Sequence, residues 1–320
     1  MSDPIVPLPA PSFLSDAARA GLEVPIVRTP SPALDDAAGW EAMVEQTDAM
    51  IAQMLGGMTL PMTSELRQVN GVPTYVVTPE GAPTAEDSPV YLSIHGGGLI
   101  TGGGDLTRVM TGISALSAPV VHWAPDYRMP PAHPYPAALD DVVAVYKTLL
   151  EVRAPSRIVV GGGSAGGNLA AALLLRAKAE GLPMPAALIL LTPEVDLTES
   201  GDSFATLADV SVGLQSLRET NLLYAGGHDL ADPYLSPLFG DVTGFPSTLL
   251  VSGTRDLFLS NTVRMHRRLR EAGVDADLHI FDARPHAGYG NAPEEALVSA
   301  EIGAFVSKHV GAPTNSSQEI

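Results

Sequence analysis

An α/β fold with a mainly parallel, eight-stranded sheet, flanked by helices and covered by a helical cap, is predicted from three features of the 320-residue sequence. Eight short strand-like runs alternate with helical stretches from about residue 62 onward, the pattern that builds parallel sheets from crossover units. Glycine-rich turns follow two of those runs, at the carboxyl edge where open α/β sheets bind ligands. The interval between residues 191 and 248 is far longer than one crossover needs.

Composition narrows the class. With 45% hydrophobic and 17% charged residues and a mean hydropathy of +0.16, the chain can bury one substantial core. A net charge of −18 and a pI near 4.6 arise from scattered acidic residues and would repel phosphate backbones, so nucleic acid is not an expected partner. The absence of cysteine excludes disulfides, thiolate catalysis and cysteine-ligated metals. The eight histidines are dispersed, and neither a metal nor a cofactor is expected. Asp3 and several prolines stand where a signal peptide would need a basic and then an apolar segment, and no apolar run reaches the ~20 residues that span a bilayer. A cytoplasmic protein without membrane insertion is the expectation.

The first 35 or so residues are proline-rich and read as an extended arm with a short helix near residues 15–21. A longer helix follows, because Trp40, Met43, Val44, Ile51, Met54 and Leu55 keep helical spacing between Asp35-Asp36 and Gly56-Gly57. Strands are predicted at residues 66–69, 74–78, 90–94, 120–124, 157–161, 187–191, 248–252 and 277–281. Leu139, Val142, Val143, Tyr146, Leu149 and Leu150 form one face of an intervening helix. Residues 1–58 are thus assigned to an arm and cap helices and 59–320 to the main domain. A second cap segment is expected at about 198–240, with a helix near 215–224.

Gly162-Gly163-Ser164-Ala165-Gly166 follows one strand and enters a helix through Asn168 and Leu169, the strand-turn-helix context of a nucleophile elbow. The same stretch satisfies G-x-G-x-x-G at Gly161, Gly163 and Gly166, but it lies near the fifth strand rather than the first. No acidic residue closes a second strand about 20 residues later, so a dinucleotide site is disfavoured. His95-Gly96-Gly97-Gly98 directly follows the strand at 90–94, where a second set of oxyanion donors belongs. Amides of Gly97, Gly98 and Ala165 are therefore expected to converge on one oxyanion.

A serine in this context is followed in the chain by an acid and then a histidine. His286 lies in a loop just after the last strand, whereas His266 sits in a helical pattern, His279 in a strand and His309 near the end of the chain. Asp256 directly follows the strand at 248–252 and is the expected acid; Asp282 is its competitor but stands close in sequence to His286. Ser164, Asp256 and His286 are the predicted triad.

Through His95 to Gly98, Ser164 to Leu169, and Asp126-Tyr127-Arg128 with Pro134 and Pro136-Ala137-Ala138, roughly residues 60–310 resemble the hormone-sensitive-lipase-like (bacterial family IV) branch of the α/β-hydrolases. The resemblance implies the α/β-hydrolase fold, a cap built from the N-terminus and the long insertion, no cofactor, and carboxylic esters of short to medium acyl chain as small-molecule substrates. It also implies a homodimer in many members. Lactone or amide hydrolysis by the same apparatus, and a non-catalytic ligand-binding receptor on the same fold, are the alternatives. Gly163 stands where this family usually has Asp, and Ala287-Gly288-Tyr289 replaces the commoner ending with an early Phe.

Four further expectations concern neighbouring residues. Glu194 should lie just beyond a strand's carboxyl end, either in a solvated or helix-capping loop or lining the pocket. Asp126 and Arg128 should form an ion pair or hydrogen-bond network beneath the site. Met43, Met50, Met54 and Met58 should pack or line a cap, and His95 should position the glycine loop rather than transfer protons.

Overall fold

The fold is that of a computed structural model, which describes residues 5–24, 26, 28–56 and 58–311. After α1 (Asp16–Leu22) and α2 (Ala37–Leu55), the chain runs through β1 (Met62–Val69), β2 (Val72–Pro79), β3 (Val90–Ile94), α3 (Asp105–Ser117), β4 (Val121–Pro125) and α4 (Ala137–Val152). It continues with β5 (Ile158–Gly163), α5 (Ala165–Ala179), β6 (Ala187–Leu191), α6 (Ser203–Thr206), α7 (Arg218–Ala225), β7 (Ser247–Arg255), α8 (Leu259–Glu271), β8 (Ala276–Pro285) and α9 (Glu295–Val310). The eight strands form one sheet in the order β1-β2-β4-β3-β5-β6-β7-β8. β2 is antiparallel to both β1 and β4, and every other neighbouring pair is parallel.

Strand composition follows position in the sheet. β3, β5 and β6 are central and covered on both faces, so they read as nearly continuous apolar or glycine runs, whereas β1 at the edge keeps only Val69 buried. α4, α5 and α8 contribute to the larger apolar core on one face of the sheet, and α9 to the smaller core on the other. α5 is buried on nearly all sides, consistent with its alanine and leucine content. Each Val or Leu withdrawn from water there contributes about 1.5–3 kcal/mol. The parallel topology then brings the carboxyl ends of β3, β5, β7 and β8 to one rim, and these carry His95, Ser164, Asp256 and His286.

The N-terminal arm packs on that rim rather than trailing from it. Leu14, Ala18 and Leu22 cluster with Ala283, Tyr289 and Ala292, which flank the His286 turn. Ser15 accepts the Ala18 amide at the start of α1 and donates its hydroxyl to Glu294 Oε2 at 2.8 Å. Arg255, the neighbour of Asp256, donates to the carbonyls of Leu8 and Pro9 at 3.1 and 2.7 Å. Thr29 and Gln215 exchange two hydrogen bonds, fastening the arm to the segment before α7.

α2 begins where the sequence places it, with Asp36 capping the Gly39 amide, and Gly56 ends it; Gly57 lies outside the described residues. Its apolar positions are far less buried than their spacing suggests. Trp40 is fully buried with its indole N–H on the Ala33 carbonyl and Met43, Val44, Ile51 and Leu55 are half-buried, but Met54 is exposed, as are Met50 on the same helix and Met58 beyond its end. Asp126 and Arg128 both enter polar interactions, as expected, but with separate partners rather than with each other. Arg128 binds Asp141 in a bidentate pair, whereas Asp126 accepts the Gly104 amide at 2.9 Å, because Arg128 extends towards α4 and Asp126 towards the start of α3. Among the described residues no helix is long and apolar enough to cross a membrane.

Candidate active site

Ser164 occupies the single residue between β5 and α5, with φ 55° and ψ −123°. Such backbone is costly for a residue with a Cβ, by about 1–3 kcal/mol, and surrounding contacts hold it there. The Ser164 amide donates to Leu191 at 2.9 Å, and its carbonyl accepts the amides of Gly167, Asn168 and Glu194. Gly162 and Gly166 are not in the left-handed region themselves; a Cβ on either would run into the Ile94 carbonyl oxygen of β3. The motif glycines therefore serve close approach, and the strain falls on the serine.

Three side chains from three loops meet at this turn. His286 Nε2 lies 2.9 Å from Ser164 Oγ, and His286 Nδ1 lies 2.9 Å from Asp256 Oδ1. Asp256 is fully buried, and burial alone would raise its pKa. The adjacent His286 and hydrogen bonds from the Ser252 hydroxyl and the Phe258 amide outweigh burial and hold the carboxyl below its ordinary value. Phe258 also meets the His286 ring edge-on, with 4.8 Å between centroids, which limits imidazole rotation. Asp282 does not compete, since its Oδ1 accepts the Thr254 hydroxyl at 3.0 Å. His266 faces the Ala276 carbonyl and His279 faces Glu301, both away from Ser164.

The glycine loop after β3 abuts the elbow. A Cβ on Gly96 would stand 3.0 Å from the Gly163 carbonyl oxygen and 3.4 Å from Ser164 Cβ. Gly97 and Gly98 have φ of 119° and 59°, a path favouring glycine, and the Gly97 carbonyl accepts the Thr101 amide and hydroxyl. Among the described residues no hydrogen-bond acceptor meets the amides of Gly97, Gly98 or Ala165, and Ala165 opens the 15-residue α5. These N–H groups lie beside the Ser164 turn, where helix polarity also favours negative charge.

His95 is buried, stacks on Tyr127 with 4.1 Å between centroids, and contacts the Gly96 carbonyl through Nδ1 at 2.7 Å. Burial pulls its pKa down to about 4, so it is neutral at physiological pH. Tyr127 donates its hydroxyl to the His95 carbonyl at 2.8 Å. The pair fixes the start of the loop.

Behind the elbow lies a buried polar cluster. Asn168 Nδ2 donates to the carbonyls of Glu194 and Leu235, each at 2.7 Å, tying α5 to the turn after β6 and to the insertion. Glu194 is fully buried, and neither carboxyl oxygen has a hydrogen-bond partner among the described residues; Asn168 Oδ1, Asn221 Oδ1 and Tyr224 Oη are similarly unpaired. Burial pushes the Glu194 pKa up to about 8; the nearby Asn221 amide opposes that rise although it stands outside hydrogen-bonding geometry. The start of α7 abuts the glycine loop, since a Cβ on Gly98 would lie 3.5 Å from Leu217 Cδ1, at the N-cap, and 3.8 Å from Thr220 Cγ2. Ser252 and the full part played by Asn168 were not singled out from sequence, because neither belongs to a motif whose spacing predicts its partner.

Residues 91–289 match the family described as α/β hydrolase fold. An acetyl-hydrolase from Streptomyces hygroscopicus is 33% identical over 235 residues, covering 72% of this chain and 79% of that protein. Among solved structures, an esterase E25 is 35% identical with a TM-score of 0.82, over 94% of this chain and 96% of that one. An esterase from the bacterial hormone-sensitive lipase family is 34% identical with a TM-score of 0.78, over 89% and 100%. The chain belongs to the α/β hydrolase fold family, in its hormone-sensitive-lipase-like branch.

Proposed function

We propose that this protein is a serine carboxylesterase acting through an acyl-enzyme, with Ser164 as nucleophile, His286 as general base and Asp256 as the acid that orients it. Hydrolysis of carboxylic esters accords with the esterase relatives. The observation carrying the finer reading is the unbroken hydrogen-bonded series Ser252, Asp256, His286, Ser164, ending on a serine held in strained backbone.

His286 takes the Ser164 proton as Oγ attacks the ester carbonyl, and the buried Asp256 carboxylate stabilises the imidazolium that forms. The amides of Gly97, Gly98 and Ala165 receive the oxyanion. His286 then protonates the departing alkoxide; water, deprotonated by the same nitrogen, attacks the acyl-enzyme and releases the acid.

The arm, α2 and the segment at about 198–240 act as the cap in this reading. The contact of α7 with the glycine loop and the fastening of the arm to residue 215 support it. Short to medium acyl chains are the proposed substrates, in line with the acetyl-hydrolase relative. A homodimer is the proposed assembly, resting on the resemblance alone. The test is a panel of esters varied in acyl and alcohol parts, run beside lactones and anilides with wild type and Ser164→Ala. The proposal expects ester turnover to dominate and to fall at least ~10³-fold in the variant while circular dichroism is unchanged. Retention of near wild-type kcat by a folded Ser164→Ala protein would overturn it.

A further inference from the structure

A cavity of about 270 Å³ opens beside the triad on the side of α3, away from the buried polar cluster. Ser164 and His286 line it together with Gly163, Leu191 and Met110, but Gly97, Gly98 and Ala165 do not. Gly163 borders this space without a side chain. A Cβ there would meet only the Leu191 carbonyl at 3.7 Å and Leu191 Cβ at 3.9 Å, ordinary contacts, and the Gly163 backbone lies outside the left-handed region. Neither backbone conformation nor crowding requires glycine here, in contrast to Gly162 and Gly166.

The chemistry of the triad says which part of an ester would occupy the cavity. The carbonyl oxygen must point to the amides that stabilise negative charge, and the alcohol oxygen must face His286 Nε2, which protonates it as the C–O bond breaks. A space that contains His286 and Ala287 and reaches Gly96, but none of the three oxyanion donors Gly97, Gly98 and Ala165, lies on the alcohol side of the reacting carbon.

We infer that the Gly163 cavity is the alcohol pocket and that the glycine makes this enzyme selective for esters of bulky, uncharged alcohols. This rests on the carboxylesterase reading above. Among the described residues no Asp, Glu, Lys or Arg lines the cavity, and its walls combine Ile94, Leu191 and Met110 with the hydroxyl-bearing Ser93, Thr111 and Ser114. Such a surface offers apolar contact to an aryl or cycloalkyl group and no partner for a formal charge. A dry cavity of about 150 Å³ can hold a benzene ring, so this one is large enough for a fused bicyclic group. Met110, with its unbranched thioether, can adapt to differing shapes.

The experiment compares naphthylmethyl butyrate with methyl butyrate in wild type, Gly163→Leu and Ser114→Phe. The readout is the ratio of the two kcat/KM values within each protein, so any loss common to both esters cancels. Ser114 is exposed at the far wall on α3, so filling the cavity from that side leaves the elbow untouched. The inference expects both substitutions to lower the naphthylmethyl-to-methyl ratio at least about tenfold. It also expects the hexanoate-to-acetate ratio for methyl esters to stay within about twofold. An unchanged alcohol ratio in both variants, or a shift in the acyl ratio instead, would overturn the assignment. If wild type hydrolyses neither butyrate ester but opens lactones or cleaves anilides, the carboxylesterase reading itself has failed, which is a different outcome from an unchanged ratio.

Discussion

Replacing Glu194 by glutamine tests the polar cluster behind the elbow. In the folded protein this carboxyl is fully buried without a hydrogen-bond partner among the described residues, and its pKa rises to about 8 from an ordinary 4.5. Below pH 4.5 both folded and unfolded chains carry it protonated, and ionisation has no effect on stability. As pH rises towards 8 the unfolded chain releases the proton while the folded chain retains it, so stability falls by about 1.4 kcal/mol per pH unit. Between pH 5 and 8 the loss is roughly 4 kcal/mol, equivalent to a Tm decrease of about 8 °C at ~2 °C per kcal/mol for a chain of this size. Glutamine keeps the shape without the titration. The assay is thermal unfolding of both proteins at half-unit steps from pH 5 to 8.5, read as the difference in Tm, so that titrations common to both cancel. Glu194→Gln should gain on wild type steadily across this range. A difference constant with pH would refute the protonated, buried carboxyl.

The other predictions concern separate parts of the site. His286→Ala should lower kcat/KM for a preferred ester at least ~10³-fold, while His266→Ala and His279→Ala stay within about threefold; steady-state kinetics on folded variants would reverse the assignment if His279→Ala matched the His286 loss. Asp48 of α2 accepts the Gly102 amide at 2.9 Å, so Asp48→Ala should lower Tm by about 2–3 °C, whereas Asp48→Asn, which keeps the acceptor, should not. Equal Tm values for the two variants would remove that role. With acetyl through dodecanoyl esters of one alcohol, kcat/KM should peak at a short or medium chain; a peak at dodecanoyl contradicts the proposed acyl preference.

Much of this arrangement is legible in the sequence because local chemistry demanded it. Gly162 and Gly166 flank Ser164 where no Cβ fits, the strands before Ser164 and Asp256 are largely apolar or glycine runs, and the more polar β8 runs directly into His286, so order and spacing bring the three residues to one rim. What was not legible depends on partners distant in the chain. Spacing cannot show that Arg128 turns to Asp141 instead of Asp126, nor that Arg255 holds the carbonyls of Leu8 and Pro9. The helical period of α2 correctly gives its extent, yet of its apolar stripe only Trp40 is fully buried, Met43, Val44, Ile51 and Leu55 are half-buried and Met54 is exposed, because periodicity identifies an apolar stripe without supplying a surface to cover it. Glu194 could be placed beyond β6 from sequence, but that its carboxyl lacks a hydrogen-bond partner, with Asn221 of α7 nearby but outside hydrogen-bonding geometry, appears only in the folded arrangement.

The central claim, that Ser164 is the nucleophile activated by His286, is tested most directly by covalent labelling. Wild-type protein is treated with an alkyl fluorophosphonate, and the adduct is located by peptide mass spectrometry as activity is lost. The account predicts one phosphonyl group on Ser164, appearing in step with inactivation and at least ~10²-fold more slowly in His286→Ala. Complete inactivation with the label on another residue, or labelling of Ser164 at an unchanged rate in His286→Ala, would contradict it.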